Sequence, residues 1–154
     1  MKKLGYFTIF IVCILLLRQN AGAQMPMKSS VIGIQYIGPS DKPVTPIVIA
    51  QSREDADWFK SGILKLNGLE MTDVHVVSSS LMEELIASVQ KHVEKGNSRA
   101  RAVVLITIVT HSRTRELHLS RNDAIKALER LTEISKGSPA LETDIVHFKT
   151  RISP

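Results

Sequence analysis

The sequence predicts an α+β fold: a mixed or largely antiparallel sheet of about six strands, with about three helices on one face. Short runs that alternate apolar and polar residues are separated by turn signals, and three longer runs carry apolar residues at helical spacing. Two pairs of strand-like runs are joined by connections too short for a crossover. Those hairpins count against a doubly wound α/β layout, the competing architecture.

The chain opens with Lys2 and Lys3, an apolar run at 4–17, and the small residues Ala21, Gly22 and Ala23. That order is the one found in secretory signal peptides, so we expect a signal at 1–23 and a single domain at 24–154, secreted or periplasmic. The apolar run falls short of the ~20 residues a spanning helix needs. An uncleaved tether is the alternative, and only then is a membrane partner expected. Cys13 lies inside the segment after Val12, where a lipid-attachment signal would have a small residue, so lipidation is not expected. Cleavage leaves 131 of the 154 residues, without a cysteine, and lowers the basic residues from 20 to 17 against 15 acidic ones. Net charge then falls from +5 to +2, which gives no support for nucleic acid as a partner.

Within the domain, 30–38 alternates Ile32, Ile34 and Tyr36 with Gly33, Gln35 and Ile37, and 46–51 follows a "GPSDKP" turn; both read as strands. Residues 55–66 place Ala56, Phe59, Ile63 and Leu66 on one helical face, ended by Asn67-Gly68. A short strand is expected at 72–77. The helix at 80–95 has Ser80 and Glu83 as a capping box and Met82, Leu85, Ile86, Val89 and Val93 as its stripe. Residues 102–109, apolar on both sides, read as a central strand. A strand at 116–120 and a helix at 122–134 follow, with Ala124, Ala127, Leu128, Leu131 and Ile134 inward. Gly137-Ser138-Pro139 stops that helix, and 143–152 reads as the last strand.

The halves also resemble each other. "SREDA" at 52–56 returns as "SRNDA" at 120–124, and Ala56, Phe59, Ile63 and Leu66 fall 68 positions before Ala124, Ala127, Leu131 and Ile134. This suggests two divergent ββαβ repeats, 30–78 and 101–152, joined by the helix at 80–95. Convergent helix-start chemistry is the plainer explanation.

In each copy the serine, Ser52 or Ser120, stands where a helix N-cap belongs, with Asp55 or Asp123 three residues on. Arg53 and Arg121 are harder to explain, because a cation in the first turn faces the positive end of the helix dipole. Either each pairs with a nearby carboxylate, or Ser52, Arg53, Ser120 and Arg121 serve an anion or partner bound at the helix starts.

No histidine falls in an H-x-x-x-H or H-E-x-x-H pattern. Strand alternation nevertheless places His75, His118 and His147 opposite apolar neighbours, where they would share the open sheet face as a candidate metal or pH-responsive site. Solvated strand residues are the plainer reading, and His92 borders a helix stripe. Ser78, Ser79 and Ser80 precede a helix and suit capping, and no G-x-S-x-G occurs. The pairs Asp55 with Asp57 and Glu83 with Glu84 suit first helical turns. "THSRTR" lacks the aromatic residues that would stack bases.

The sequence therefore predicts a non-catalytic binding module without a cofactor, meeting a protein partner or a second copy through its open sheet face or an edge strand. The alternative is a small hydrolase or metal-dependent enzyme using His75, His118 or His147 with Asp73 or Asp144. That reading requires at least two histidines and a carboxylate to converge.

Overall fold

The computed structural model describes residues 30–38, 44–64, 73–91, 102–110 and 114–153. The expected signal at 1–23, His92 and part of the "THSRTR" turn lie outside them. Among the described residues, no helix is long and apolar enough to cross a membrane.

The chain is α+β, with one mixed sheet of five strands: β1 (Ser30–Tyr36), β2 (Ile47–Ala50), β3 (Val74–Val76), β4 (Val104–Thr110) and β5 (Thr114–Leu119), in the order β3-β2-β1-β4-β5. The β1–β2, β1–β4 and β4–β5 pairs are antiparallel, while β2 and β3 are parallel. Parallel neighbours need a crossover, supplied here by a short helix, α1 (Arg53–Trp58), that runs on into a π-helical stretch at Phe59–Leu64. Three longer helices follow: α2 (Ser79–Lys91), α3 (Arg121–Ile134) and α4 (Pro139–Ile152).

Strand alternation divides the sheet into two faces. Ile32, Ile34, Ile47, Ile49, Val104, Ile106, Ile108, Leu117 and Leu119 project to one side. There they form one core with Met82, Leu85 and Val89 of α2, Ala124, Leu128 and Leu131 of α3, and Leu141, Ile145, Phe148 and Ile152 of α4. Val31, Val48, Ala50 and Val109 project to the other side and pack against Ala56 and Phe59. Helices thus lie on both faces of the sheet. The expectation of helices on one face holds for α2, α3 and α4 but fails for α1. Burial on both faces accounts for the unbroken apolar run of β4.

The segment expected to be the last strand, 143–152, is helical. Its buried residues Leu141, Ile145, Phe148 and Ile152 recur at intervals of four, three and four, a 3.6-residue period that its β-branched composition disguises. After the 3-10 turn Ser135–Gly137, Pro139 opens α4 as its first residue, a position where its missing N–H costs nothing. Among the described residues there are five strands and four helices, where about six and three were expected. The start of α2 also differs from expectation, because Ser78 precedes Ser80 as the cap. The Ser78 hydroxyl accepts from the Leu81 amide at 3.3 Å, and its carbonyl accepts from Met82 at 2.9 Å.

The two matching helix starts diverge in space. Ala50, at the end of β2, pairs with Val31 near the start of β1. Leu119, at the end of β5, pairs with Val104, which pairs with Tyr36 at the far end of β1. So α1 and α3 begin at opposite ends of the sheet and lie on opposite faces. A two-fold relating the antiparallel pair β1 and β4 runs perpendicular to the sheet and keeps each helix on the face of its counterpart. The arrangement of α1 and α3 is not of that kind, and the second unit ends in a helix where the first ends in a strand.

Candidate functional site

Capping accounts for two of the sequence-predicted residues. Ser52 Oγ accepts from the Asp55 amide at 3.1 Å and donates to the Asp55 carboxylate at 2.8 Å. Ser120 does the same with Asp123, at 3.3 Å and 2.5 Å. The aspartates are each 3 % exposed, so each reciprocal pair satisfies a buried carboxylate as well as an orphan helix amide. Arg53 and Arg121 are exposed, and neither forms an ion pair among the described residues. The expected carboxylate partners are thus not found, and with α1 and α3 starting at opposite ends of the sheet the two arginines cannot meet on one anion. We expect Ser120→Ala to lower stability by about 1–2 kcal/mol in urea denaturation, since it removes both the cap and a donor to a buried carboxylate. Arg121→Ala should stay within about 0.5 kcal/mol of the parent.

The three histidines do not share a face. His75 pairs with Ile49, so it points to the three-helix side of the sheet, at its edge. His118 pairs with Leu105, which stands opposite to Ile106, and so points to the other side. His147 is on α4 and exposed. Among the described residues, no group of three histidine, cysteine, aspartate or glutamate side chains is placed to hold a metal ion.

What the structure does bring together is the edge of β3 and one face of α4. His75 Nε2 lies 2.8 Å from Asp144 Oδ2, with the imidazole mostly buried and the carboxylate half exposed. Asp144, His147, Phe148 and Arg151 follow at spacings that put them on one side of α4. Facing them are Asp73, just before β3 and of the same alternation as His75, and the segment Val44, Thr45, Pro46 and Ile47 that leads into β2. Together these residues line an open cleft of about 300 Å³. His75 is not among the lining residues. Its contact with Asp144 holds that carboxylate in place in the lining.

The cleft joins a smaller apolar part to a larger polar one that carries separated charges. Val44, Pro46, Ile47 and Phe148 supply the first, and Phe148 is at the same time part of the core. Among the described residues, the side chains of Asp73, His147 and Arg151 form no hydrogen bond or ion pair. Asp73 and Arg151 line one cavity with opposite charge and do not neutralise each other. The last-turn position of Arg151 also suits the carbonyl end of its helix, but that does not account for the unpaired aspartate across the cleft.

A second cluster of polar groups lies on the face that α1 covers only in part. Gln35, Leu105 and His118 form one cross-strand row, and Gly33, Thr107 and Glu116 the next. Among the described residues, Gln35 Oε1, Thr107 Oγ1 and both ring nitrogens of His118 are buried without a hydrogen-bond partner, Glu116 Oε2 lying 3.7 Å from His118 Nε2. Such groups weaken a fold.

Sequence reasoning had singled out His75, His147, Asp73 and Asp144 but placed them on two strands. It missed Arg151, whose only signal was its spacing of seven from Asp144, visible once 139–152 is read as a helix. No family model, no curated protein and no solved structure matches the chain.

Proposed function

We propose that the chain is an exported, non-catalytic binding module whose recognition site is the cleft between α4 and the leading ends of β2 and β3. The observation that carries this reading is the pair of unpaired charges, Asp73 and Arg151, that line one cavity together with His147. Charges that the fold leaves unneutralised in a concave site are available to a ligand. The edge strand β3 runs alongside, so a protein partner that adds a strand there would also reach the cleft.

Photo-crosslinking in the native compartment tests this. A benzophenone side chain in place of Thr45, which is exposed on the cleft rim, should yield a defined adduct, and one in place of Lys126, exposed on α3, should not. Arg151→Glu should remove the Thr45 adduct. An adduct from both positions, from neither, or one indifferent to Arg151→Glu would refute the reading.

The 2.8 Å contact between His75 and Asp144 favours a second reading, a hydrolase in which the carboxylate orients a general base. That His75 does not line the cleft speaks against it. If that reading held, the ligand recovered from the crosslink would be a cleaved product, and His75→Gln would abolish cleavage while leaving capture intact.

A further inference from the structure

We infer that the cleft takes a small zwitterion of the α-amino-acid class with an aliphatic side chain, its ammonium group on Asp73 and its carboxylate on Arg151 and His147. The inference rests on the cleft being the recognition site and goes on to specify the chemistry of its occupant.

The argument begins with charge. A site for a simple anion would be lined by cations alone, and a site for an amine by carboxylates alone. Here Asp73 enters from the β3 side, and His147 and Arg151 enter from α4. The other carboxylate, Asp144, meets His75 through one oxygen at 2.8 Å. Asp73, unpaired, shares the cleft with Arg151 and His147, which stand four residues apart, one turn of the helix. A ligand bearing both charges close together satisfies both walls at once. A ligand bearing one charge leaves the opposite wall unpaired.

Size and floor narrow the class. About 300 Å³ is the lower end of the range for small-molecule sites, so the cleft suits a single residue better than a cofactor. The apolar part of the lining is Val44, Pro46, Ile47 and Phe148, of which Ile47 and Phe148 are almost fully buried and Val44 and Pro46 half-buried. A small aliphatic side chain placed against Val44 and Pro46 loses apolar surface to the protein. Arg151 can grip a carboxylate with two parallel hydrogen bonds, a geometry a lysine could not supply.

Isothermal titration calorimetry of the purified domain with three probes decides the matter. L-leucine carries both charges, 4-methylpentanoate lacks the ammonium group, and 3-methylbutylamine lacks the carboxylate. L-leucine should bind at least about tenfold more tightly than either analogue, the loss expected for one charge-assisted hydrogen-bonding group. Asp73→Asn should erase the advantage of L-leucine over 4-methylpentanoate, and Arg151→Gln its advantage over 3-methylbutylamine. Both positions are exposed, so unchanged thermal melting should confirm that the variants remain folded. Equal binding of the three probes, no binding of any, or dependence on only one of the two charges would overturn the inference. The crosslink from Thr45 separates the two levels: if it persists while leucine fails, the cleft is a binding site for other chemistry, and if it is absent, the site itself is wrong.

Discussion

Replacing Leu128 with alanine is expected to lower the unfolding free energy by about 2–5 kcal/mol, read from the midpoint and slope of urea denaturation. Leu128 is 0 % exposed and sits on α3, which packs against both α2 and α4. Truncation removes buried methyl groups and leaves a cavity that can collapse only if three helices shift together over the sheet. A single domain typically has ~5–15 kcal/mol in all, so this one change is expected to remove a large share. A loss under about 1 kcal/mol would mean that α3 is not seated on the sheet as described.

Val146→Pro should cost about 3 kcal/mol or more, whereas Val146→Ala should be neutral or slightly stabilising. Val146 is in the interior of α4 and 43 % exposed, so its side chain contributes little packing. Proline there removes a helical hydrogen bond and clashes with the preceding turn, while alanine has the better helix propensity. Were 143–152 the strand that its composition suggests, alanine would be the harmful change, because alanine is depleted in strands where valine is enriched. The pair of variants, followed by thermal denaturation and far-ultraviolet circular dichroism, thus separates the two assignments without touching the core.

Most of the sheet was legible because its signals are local. Alternation in 30–38, turn residues before Ile47, the unbroken run of β4 and the Ser-x-x-Asp starts at Ser52 and Ser120 all act within a few residues. What failed was the last segment and everything that depends on it. A window beginning at Thr143 omits Leu141, the first member of the helical stripe, and what remains is rich in the β-branched and aromatic residues that favour strands. His147 was consequently placed on a sheet, and Arg151 was not noticed. The face of His75 was misjudged for a different reason. On an edge strand the helix layer ends, so a polar residue can point toward the helices and still find a partner at their margin, as His75 does with Asp144. The cleft could not be read from sequence at all, since its walls come from three stretches far apart in the chain: the lead into β2, the residue before β3, and α4.

The position of β1 in the middle of the sheet governs the order in which the chain can be assembled. One of its neighbours, β2, is made directly after it, but the other, β4, emerges only after β2, α1, β3 and α2 have been synthesised. Loop-closure entropy must be met before that pairing yields anything, which slows folding and keeps it from completing on the N-terminal half alone. During that interval β1 presents an unpaired edge, with Ile32 and Ile34 uncovered on one side and Val31 on the other, a template for strands of neighbouring chains. A chain that accumulates half-made is exposed by this delay to aggregation through β1.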